Sequence, residues 1–360
     1  SKIIERIVHS RLIKHLNLFS GLPAFLSAYR QFHSTESALL RIQNDLLRAI
    51  DRKDVSALIL LDLSAAFDTI DHSIMLNRLQ AYFGLSGNVK KFFKSYLIGR
   101  TQTVVVGSSK SSSSTISTGV PQGSVLGPLL FSMYTTPLKD LLSNAKVSYH
   151  FYADDTQIYI SFPAKDCSLS LSHLSSVLSL VYNWFKSNKL SINPSKTEYI
   201  LVGTKQQHAK LSNLSTTLKF CNSDIEPVDQ VRNLGVIFDS ELTLKNHIAK
   251  TIQISFLLIR HFRQIRDHLD LNSAKLFANA VISSKLDYCN SLFYNLNANL
   301  LHKLQLVQNT LARVVVQKSK RFDHITPILK NLHWLPINKK IEFKIATLTY
   351  NILARDSPSY

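Results

Sequence analysis

The sequence predicts an α+β fold with an antiparallel sheet, because helical and strand patterns both occur but do not alternate strictly along the chain. Several segments have apolar residues at helical spacing, and several short runs are either wholly apolar or alternate between apolar and polar residues. A length of 360 residues and a hydrophobic fraction of 45% are typical of a globular chain with two or three packed subdomains.

The N-terminal segment has the pattern of two amphipathic helices. Apolar residues from Ile3 to Leu16 recur at helical spacing, and the first helix is expected to end before Gly21. The second helix is expected to begin with Ser34 or Thr35 as its N-cap, because either hydroxyl can accept from the free N–H groups of the first turn. Its apolar residues form one broad face that continues to residue 50.

The middle of the chain predicts a mixture of strands, helices and one hairpin. The run VSALILLDLS at residues 55–64 is short and nearly all apolar, as in a fully buried strand. The elements expected after it are helices at about 70–83 and 89–97, a hairpin with a Ser-rich tip at 107–114, and a turn at 121–123 that leads into a helix.

The remaining elements are a second hairpin and a long helical region. The hairpin YHFYADDTQIYISF at 149–162 alternates on both sides of two adjacent aspartates, and a helix at about 169–190 follows it. The runs TEYILVG and NLGVIFDS predict short strands. The pattern after Leu242 is mainly helical, apart from an irregular stretch around residues 334–336.

Basic residues strongly outnumber acidic ones, with 42 Lys and Arg against 24 Asp and Glu and a formal net charge of +18. Residues 241–360 carry 17 basic and 7 acidic side chains, so +10 of this charge lies in the last third of the chain. Such an excess favours a polyanionic partner, above all nucleic acid. A soluble protein with a basic solvated face would show the same balance.

Other features of the composition exclude several classes of protein. Three widely spaced cysteines without a CxxC pair argue against a disulfide framework or a zinc site, and they favour a reducing compartment. No apolar run reaches the length of a transmembrane helix and no secretory signal pattern is present, so no membrane partner is expected. The absence of a starting Met, with helical periodicity already at Ile3, indicates an excerpt of a longer polypeptide.

Three aspartates are the main candidates for a chemical site. Asp62 ends a predicted buried strand, where a lone carboxylate is unfavourable unless a cation compensates it. Asp154 and Asp155 are adjacent, and burial adds to the repulsion between them unless a divalent cation is bound. Taken singly, Asp62 also fits a turn cap, and the pair also fits a plain hairpin turn. Together the three predict a two-Mg²⁺ site for in-line phosphoryl displacement.

Ordered blocks of the sequence resemble the reverse transcriptase of LINE-type (non-LTR) retrotransposons. SAYRQFHSTESALLRIQNDLL is similar to the segment that joins fingers to palm in that family, and VRNLGVIFD is similar to its primer-grip block. The catalytic blocks of the family are matched, in order, by LLDLSAAFDTIDH, STGVPQGSVLGPLLFSMY, FYADD and LSINPSKTEYIL.

The resemblance spans essentially the whole chain and implies a right-hand polymerase fold. Residues 1–54 would form partial fingers and the connection from fingers to palm. Residues 55–240 would form the palm with inserted finger elements, and residues 241–360 a helical thumb with a C-terminal extension. The basic motif with which the family's fingers begin, and which contacts nucleotide phosphates, is absent here, which leaves open whether the excerpt is active by itself.

The resemblance also implies roles for individual residues. Asp62, Asp154 and Asp155 correspond to the catalytic carboxylates, which hold two Mg²⁺ ions, with Mn²⁺ as an alternative, and the Leu63 carbonyl is a further ligand. Phe67 corresponds to the residue beneath the sugar of the incoming nucleotide. The nucleotide-binding residues implied in this way are Leu63, Ser64, Phe67, Gln122, Gly123 and Lys196, and the primer grip is Leu234 and Gly235.

Each of these roles has a simpler alternative. Phe67 also fits a core aromatic residue, Gln122 and Gly123 fit a plain Pro-Gln-Gly turn, and Lys196 fits a solvated surface lysine. In the segment after Leu242, apolar residues at 248, 252, 256, 259 and 262 predict a packed stripe of a thumb helix. The basic residues of that helix expected to face phosphates are Lys250, Arg260, Arg263 and Arg266.

The implied activity is that of an RNA-directed DNA polymerase, a nucleotidyltransferase within a retrotransposon replication protein. Its partners would be an RNA template, a DNA primer or target DNA, and dNTPs, with an endonuclease domain upstream in the full polypeptide. It would act in an intracellular ribonucleoprotein of the nucleus and cytoplasm. The alternative is a catalytically inactive or domesticated nucleic-acid-binding derivative. An intron-encoded maturase or a telomerase would need extra domains that this sequence does not suggest.

Overall fold

The chain is divided into two units that are interleaved along the sequence. The computed structural model describes residues 2–19, 21–221, 223–317, 323–355, 357, 358 and 360. The first unit comprises Ser1–Gln31, Asp54–Tyr199 and Ala209–Pro227, and the second comprises Phe32–Lys53, Ile200–His208 and Val228–Tyr360.

Helices and short strands are mixed along the described chain, which confirms the predicted α+β class. The helices are α1 (Lys2–Leu18), α2 (Thr35–Asp51), α3 (His72–Ala81), α4 (Gly87–Leu97), α5 (Gly127–Thr135), α6 (Leu138–Asn144), α7 (Cys167–Ser187), α8 (Lys205–Leu211), α9 (Lys245–Ile265), α10 (Leu271–Phe277), α11 (Ser284–Asp287), α12 (Ala298–Val316), α13 (Ile325–Leu332) and α14 (Ile337–Arg355). The strands are β1 (Asp54–Leu61), β2 (Leu63–Ser64), β3 (Thr101–Gln102), β4 (Val105–Val106), β5 (Ser109–Lys110), β6 (Ser114–Thr115), β7 (Ser148–Tyr152), β8 (Asp155–Pro163), β9 (Ser191–Ile192), β10 (Glu198–Val202), β11 (Leu218–Phe220), β12 (Ser223–Ile225), β13 (Gln230–Asn233) and β14 (Val236–Asp239).

Three strands of the four-stranded sheet pair in antiparallel fashion, as predicted. Strands β1, β8 and β7 are neighbours in this order, and β1 pairs with β8 from Asp54 opposite Pro163 to Leu61 opposite Thr156. Strand β1 is buried at nearly every position, which explains why its sequence is a continuous apolar run rather than an alternating one. The long helix α7 packs against β8.

Two predicted strands end differently in the structure. The run at 55–64 was expected as one strand, but β1 stops at Leu61 because the chain changes partner at Asp62. Strand β2 then pairs with β9, with Leu63 opposite Ile192. The NLGVIFDS segment forms the second strand of a hairpin, β13 with β14, and Leu234 and Gly235 are its turn.

Helix α2 belongs to the second unit and begins as predicted, with Ser34 as its N-cap. The Ser34 hydroxyl accepts from the Ser37 N–H at 3.1 Å, and the Ser37 hydroxyl accepts from the Ser34 N–H at 3.0 Å, which forms a reciprocal capping box. The Glu36 carboxylate then accepts from the Ser291 N–H at 3.0 Å. The packing partner of α2 is therefore a segment near residue 290, far along the sequence.

The rest of the second unit is mainly helical, as the sequence predicts. Helix α9 packs against α12 and against β14. Its buried residues include Ile248, Ile259 and Phe262, but Phe256 is 41% exposed, so the predicted apolar stripe is only partly correct. The buried side of the helix includes Thr251 and Ser255 instead. Among the helices of the described residues, none combines the length and the hydropathy needed to span a membrane.

Candidate active site

The register of the sheet brings two of the three candidate aspartates to the same end of the β1–β8 pair. Leu61 is the last residue of β1, and it pairs with Thr156 of β8. Because the strands are antiparallel, Asp62, which directly follows β1, and Asp155, the first residue of β8, both come just beyond this last pair. The abrupt end of β1 at Asp62 is thus what positions this carboxylate at the mouth of the β7–β8 hairpin.

The third aspartate lies in the hairpin turn itself. Tyr152 pairs with Asp155, so Ala153 and Asp154 form a two-residue turn between β7 and β8. Ala153 has φ +57°, a left-handed conformation that costs a residue with a Cβ about 1–2 kcal/mol. This strained turn replaces the Gly or Asn that usually completes a tight hairpin, and it holds both aspartates at the same end of the sheet.

The carboxylates of Asp154 and Asp62 lie close enough to Asp155 for their negative charges to act on it. Burial, followed by the negative charges of Asp154 and Asp62, raises the pKa of Asp155 to about 6. Tyr29 lies near the same cluster, because burial and then the Asp154 charge raise the pKa of its hydroxyl. Sequence reasoning missed Tyr29, although it belongs to the SAYRQF segment that the family resemblance singled out.

Lys196, which the resemblance implies as a nucleotide-binding residue, lies beside Asp62. Its Nζ is 3.2 Å from Oδ2 of Asp62, and its side chain is 67% exposed. The contact is an ion pair by distance but lacks hydrogen-bond alignment, so Oδ2 of Asp62 has no hydrogen-bond donor among the described residues although it is buried. Lys196 therefore places a positive charge beside Asp62 without donating a hydrogen bond to its Oδ2 atom.

The donor set has the chemistry that Mg²⁺ prefers, but it is not a complete site. No group of three or more His, Cys, Asp or Glu side chains within the described ranges could hold a metal ion as it stands. Mg²⁺ is commonly bound by one or two carboxylates and completes its shell with water and substrate phosphate oxygens. The raised pKa of Asp155 and the incompletely satisfied Oδ2 of Asp62 both fit a site that a cation would complete.

Hydrogen bonds between Gln122 and Asp68 join the turn before α5 to the loop after β2, which also carries the candidate residue Phe67. Phe67 is half-buried, with its ring 5.0 Å from the ring of Phe131. Gln122 is exposed, and its Nε2 donates to both carboxylate oxygens of Asp68 at 2.9 and 3.1 Å. Sequence reasoning missed Asp68 as the partner of Gln122. Gly123 has φ +72° and open space where a Cβ would stand.

The backbone around the remaining nucleotide-binding candidates is fixed by short strand pairing. Leu63 is buried and Ser64 is half-buried in β2. The Asn193 N–H donates to the Asp62 carbonyl at 2.9 Å, which continues the β2–β9 pairing. These contacts leave the roles predicted for Leu63 and Ser64 untested.

The predicted primer grip lies within the second unit, in the turn between β13 and β14. Tyr288 donates its hydroxyl hydrogen to the Leu234 carbonyl at 2.6 Å. Gly235 has φ +87°, and a Cβ there would meet the Tyr288 ring at 3.3 Å. A glycine therefore suits this position for two independent reasons, its left-handed backbone and the close approach of the ring. Tyr288 is a further residue that sequence reasoning did not single out.

One of the four basic residues predicted on α9 does not face solvent. Lys250, Arg260 and Arg263 are exposed, as expected for phosphate contacts. Arg266 is only 5% exposed, and its guanidinium donates to the Val315 carbonyl at 3.0 Å and to the Leu269 carbonyl at 2.7 Å. The prediction for Arg266 is wrong, because this arginine satisfies backbone carbonyls inside the second unit rather than an external anion.

Comparison with known proteins gives the family. Residues 1–238 match the model of the family described as reverse transcriptase (RNA-dependent DNA polymerase). The chain is 29% identical over 276 residues to the probable RNA-directed DNA polymerase from transposon BS of Drosophila melanogaster, which covers 73% of this chain and 29% of that protein. It is 25% identical over 324 residues to the RNA-directed DNA polymerase from mobile element jockey of Drosophila funebris, covering 87% of this chain and 34% of that protein.

The chain thus spans about a third of the length of these relatives. Among solved structures, the apo telomerase from Candida tropicalis superposes with a TM-score of 0.48 at 12% identity, over 96% of this chain and 61% of that one. The predicted resemblance to reverse transcriptases of non-LTR elements is confirmed by the family match together with these relatives. This chain belongs to the reverse transcriptase (RNA-dependent DNA polymerase) family.

Proposed function

We propose that this chain is the polymerase core of a non-LTR retrotransposon protein and that it performs RNA-templated DNA synthesis by nucleotidyl transfer. The observation that carries the proposal is that Asp62 and Asp155 both lie just beyond the last β1–β8 pair, with Asp154 in the adjoining turn, in a member of the reverse transcriptase family. Burial and the charges of Asp154 and Asp62 make the ionised form of Asp155 unfavourable unless a cation is bound, so the cluster is better explained by function than by packing.

The three aspartates would hold two divalent cations, Mg²⁺ or Mn²⁺, with the Leu63 carbonyl as a further ligand. Bound there, the cations would supply Lewis-acid stabilisation of the attacking and leaving oxygens of a phosphoryl displacement. Asp154 and Asp155 orient their carboxylates from a rigid hairpin, whereas Asp62 presents its carboxylate from the end of a buried strand. Placement on or directly beside paired strands favours the accuracy that such chemistry requires.

The nucleotide would lie between the aspartates and the turn that carries Gln122. Phe67 would pack beneath the sugar, which its half-buried ring supports, because a fully buried ring would be unable to reach a ligand. Lys196, whose exposed amine already lies at the aspartate cluster, would neutralise the pyrophosphate that leaves. Gly123 would let the backbone approach the base pair, since nothing lies within 4 Å of its missing Cβ.

Nucleic acid would be held mainly through phosphates. The exposed side chains of Lys250, Arg260 and Arg263 on α9 and the net charge of +18 support this. We assign the first unit the palm and the helical part of the second unit the thumb, with the β13–β14 turn as primer grip. The partners would be an RNA template, a DNA primer or target DNA, and dNTPs. The longer polypeptide would add an endonuclease and would act within a ribonucleoprotein of the nucleus and cytoplasm.

Primer extension on an RNA template in the presence of Mg²⁺ tests the proposal. Asp154→Asn keeps the size of the side chain but removes a charged ligand, so extension should fall at least roughly a hundredfold, as expected for losing several kcal/mol of transition-state stabilisation. Asp224→Asn is the matched control, because Asp224 is an exposed aspartate on β12. Extension by Asp154→Asn within a few-fold of the parent would refute the assignment. A parent chain that binds primer–template but does not extend it would favour the alternative, a nucleic-acid-binding derivative.

A further inference from the structure

Glu5 is a buried acidic residue on helix α1, although the amphipathic pattern of this helix gives no sign that an acidic side chain is buried. It lies in α1 and is 5% exposed. One carboxylate oxygen, Oε2, accepts from the Val125 N–H at 2.8 Å and from the Leu126 N–H at 3.3 Å, and the Tyr96 hydroxyl donates to it at 3.3 Å. A carboxylate is buried at such a site only if donors compensate for the water it loses, and these contacts do so.

The two N–H groups lie at Val125 and Leu126, directly before the first residue of helix α5. The N-cap of α5 is Leu126, which has no side-chain acceptor, and the first turn contains no acidic residue. The first N–H groups of a helix have no partner within it, and the helix dipole favours a negative charge at this end. Glu5 supplies both the acceptor and the charge from a segment about 120 residues away.

The same contacts fix one end of the turn that carries the nucleotide-binding candidates. The Gly127 N–H donates to the Ser124 hydroxyl at 3.0 Å, so the start of α5 is also linked to residue 124. At the other end of the turn, the Val120 N–H donates to the Phe67 carbonyl at 3.0 Å. Gln122 and Gly123 therefore lie between two anchors, of which Glu5 is one.

We infer that Glu5 is a positioning residue for the incoming nucleotide, acting through the backbone of Val125 and Leu126 on the turn that carries Gln122 and Gly123. The inference rests on the proposed polymerase function. A shift of about 1 Å in that turn would misplace the groups that meet the nucleotide, and displacements of this size are enough to weaken a reaction strongly. Nucleotide binding should therefore depend on Glu5 although Glu5 does not touch the nucleotide.

Three variants of the full chain separate positioning from general stability. Glu5→Gln keeps an oxygen acceptor for the two N–H groups but loses the charge, whereas Glu5→Leu loses both. Leu12→Ala is the matched control, because Leu12 is also 5% exposed on α1 but makes none of these hydrogen bonds, so the variant loosens the same helix by another route. The apparent KM for dNTP, kcat, primer–template affinity and amide hydrogen exchange at Val125 and Leu126 are measured for each.

The expected result is a graded effect on nucleotide use. Glu5→Leu should raise the apparent KM for dNTP roughly tenfold or more, as expected for losing hydrogen bonds to a charged group, and Glu5→Gln should restore part of this loss. Both should speed exchange at Val125 and Leu126 more than Leu12→Ala does, while primer–template affinity stays at the parent value.

Two results would overturn the inference and one would instead overturn the proposed function. An unchanged KM in both Glu5 variants, with the parent active, removes the positioning role. A KM that rises equally in Leu12→Ala shows that the effect is general loosening of α1. A parent chain that fails to extend primers refutes the polymerase function itself, and this outcome is recognised before any Glu5 variant is compared.

Discussion

Asp155→Asn should stabilise the metal-free protein at high pH even though it should abolish the proposed polymerase activity. Burial and the charges of Asp154 and Asp62 raise the pKa of Asp155 to about 6, against an ordinary value of 3.8. This difference of about 2 units corresponds to about 3 kcal/mol against the ionised form in the folded state. Because the side chain is only half-buried, solvent screening reduces the expected effect to about 1–2 kcal/mol.

The sign of the pH dependence follows from which state holds the proton. Between pH 3.8 and about 6 the folded protein binds this proton more tightly than the unfolded chain, so the contribution to stability falls as the pH rises through this window. Above pH 6 the full free-energy cost of ionising Asp155 in the folded state is present in the parent and absent in Asp155→Asn. The free-energy gain of the variant should therefore be largest at pH 8 and should vanish below pH 4.

Urea unfolding in the presence of a chelator measures this difference at pH 8 and at pH 4. Asp224→Asn is again the control, because an exposed aspartate should show no gain at either pH. Primer extension by the same variant preparations should be lost only in Asp155→Asn. If Asp155→Asn is equal to the parent or less stable at pH 8, the repulsion inferred among the three aspartates is absent and the reasoning about the cation site fails.

Phe67→Ala should open the space beneath the sugar, so incorporation of ribonucleotides relative to deoxynucleotides should rise roughly tenfold or more; an equal fall for both substrates would make the ring a packing residue only. Reversing the charges of Arg260 and Arg263 together should flatten the dependence of primer–template affinity on salt by about two phosphate contacts, and an unchanged slope would move the nucleic-acid path away from α9. Burial, then the positive charges of neighbouring basic residues, lowers the pKa of His247 to about 4. The unfolded chain therefore binds this proton more tightly, so about 3 kcal/mol of folding stability is present above pH 6.5 and is lost as the pH falls to 4. Urea unfolding of His247→Asn should show this part of the pH dependence missing, and a profile identical to that of the parent would contradict it. Gly119→Ala should destabilise the protein by at least about 2 kcal/mol in the same assay, because φ is +86° and the new Cβ would stand 2.9 Å from a backbone carbonyl oxygen; parent-like stability would show that the loop adapts.

The elements set by local pattern could be predicted from sequence. Helix α2 with its Ser34 cap and the antiparallel hairpin that carries Asp154 and Asp155 follow from periodicity and turn chemistry, which involve residues close in the chain. The three aspartates were predicted as one site from the unfavourable placing of like charges side by side together with the family resemblance, because either signal alone also fits a turn. Strand β1 was predicted too long, since the change of partner at Asp62 depends on β9, about 130 residues further on.

The features that were missed depend on contacts between distant segments. Helical periodicity marks Arg266 as an outward basic residue, and only the fold shows that the Val315 carbonyl lies beside it. Periodicity likewise shows Glu5 only as one polar residue among others on α1. Nothing near it in sequence reveals that its carboxylate accepts a hydrogen bond from the Leu126 N–H. Long-range hydrogen bonds of this kind leave no mark on local hydrophobic pattern.

The interleaving of the two units has a consequence for synthesis on the ribosome. Helix α2 leaves the ribosome early, but the segment near Ser291 that receives its Glu36 carboxylate is made about 240 residues later, roughly 10–50 s at ordinary translation rates. Throughout that interval the apolar face of α2 lacks its native partner and is open to chaperones or to other chains. Residue 238, where the family match ends, is also synthesised before the segment near Ser291. A fragment cut at that boundary would keep all three candidate aspartates yet never complete the second unit, and it should aggregate rather than fold.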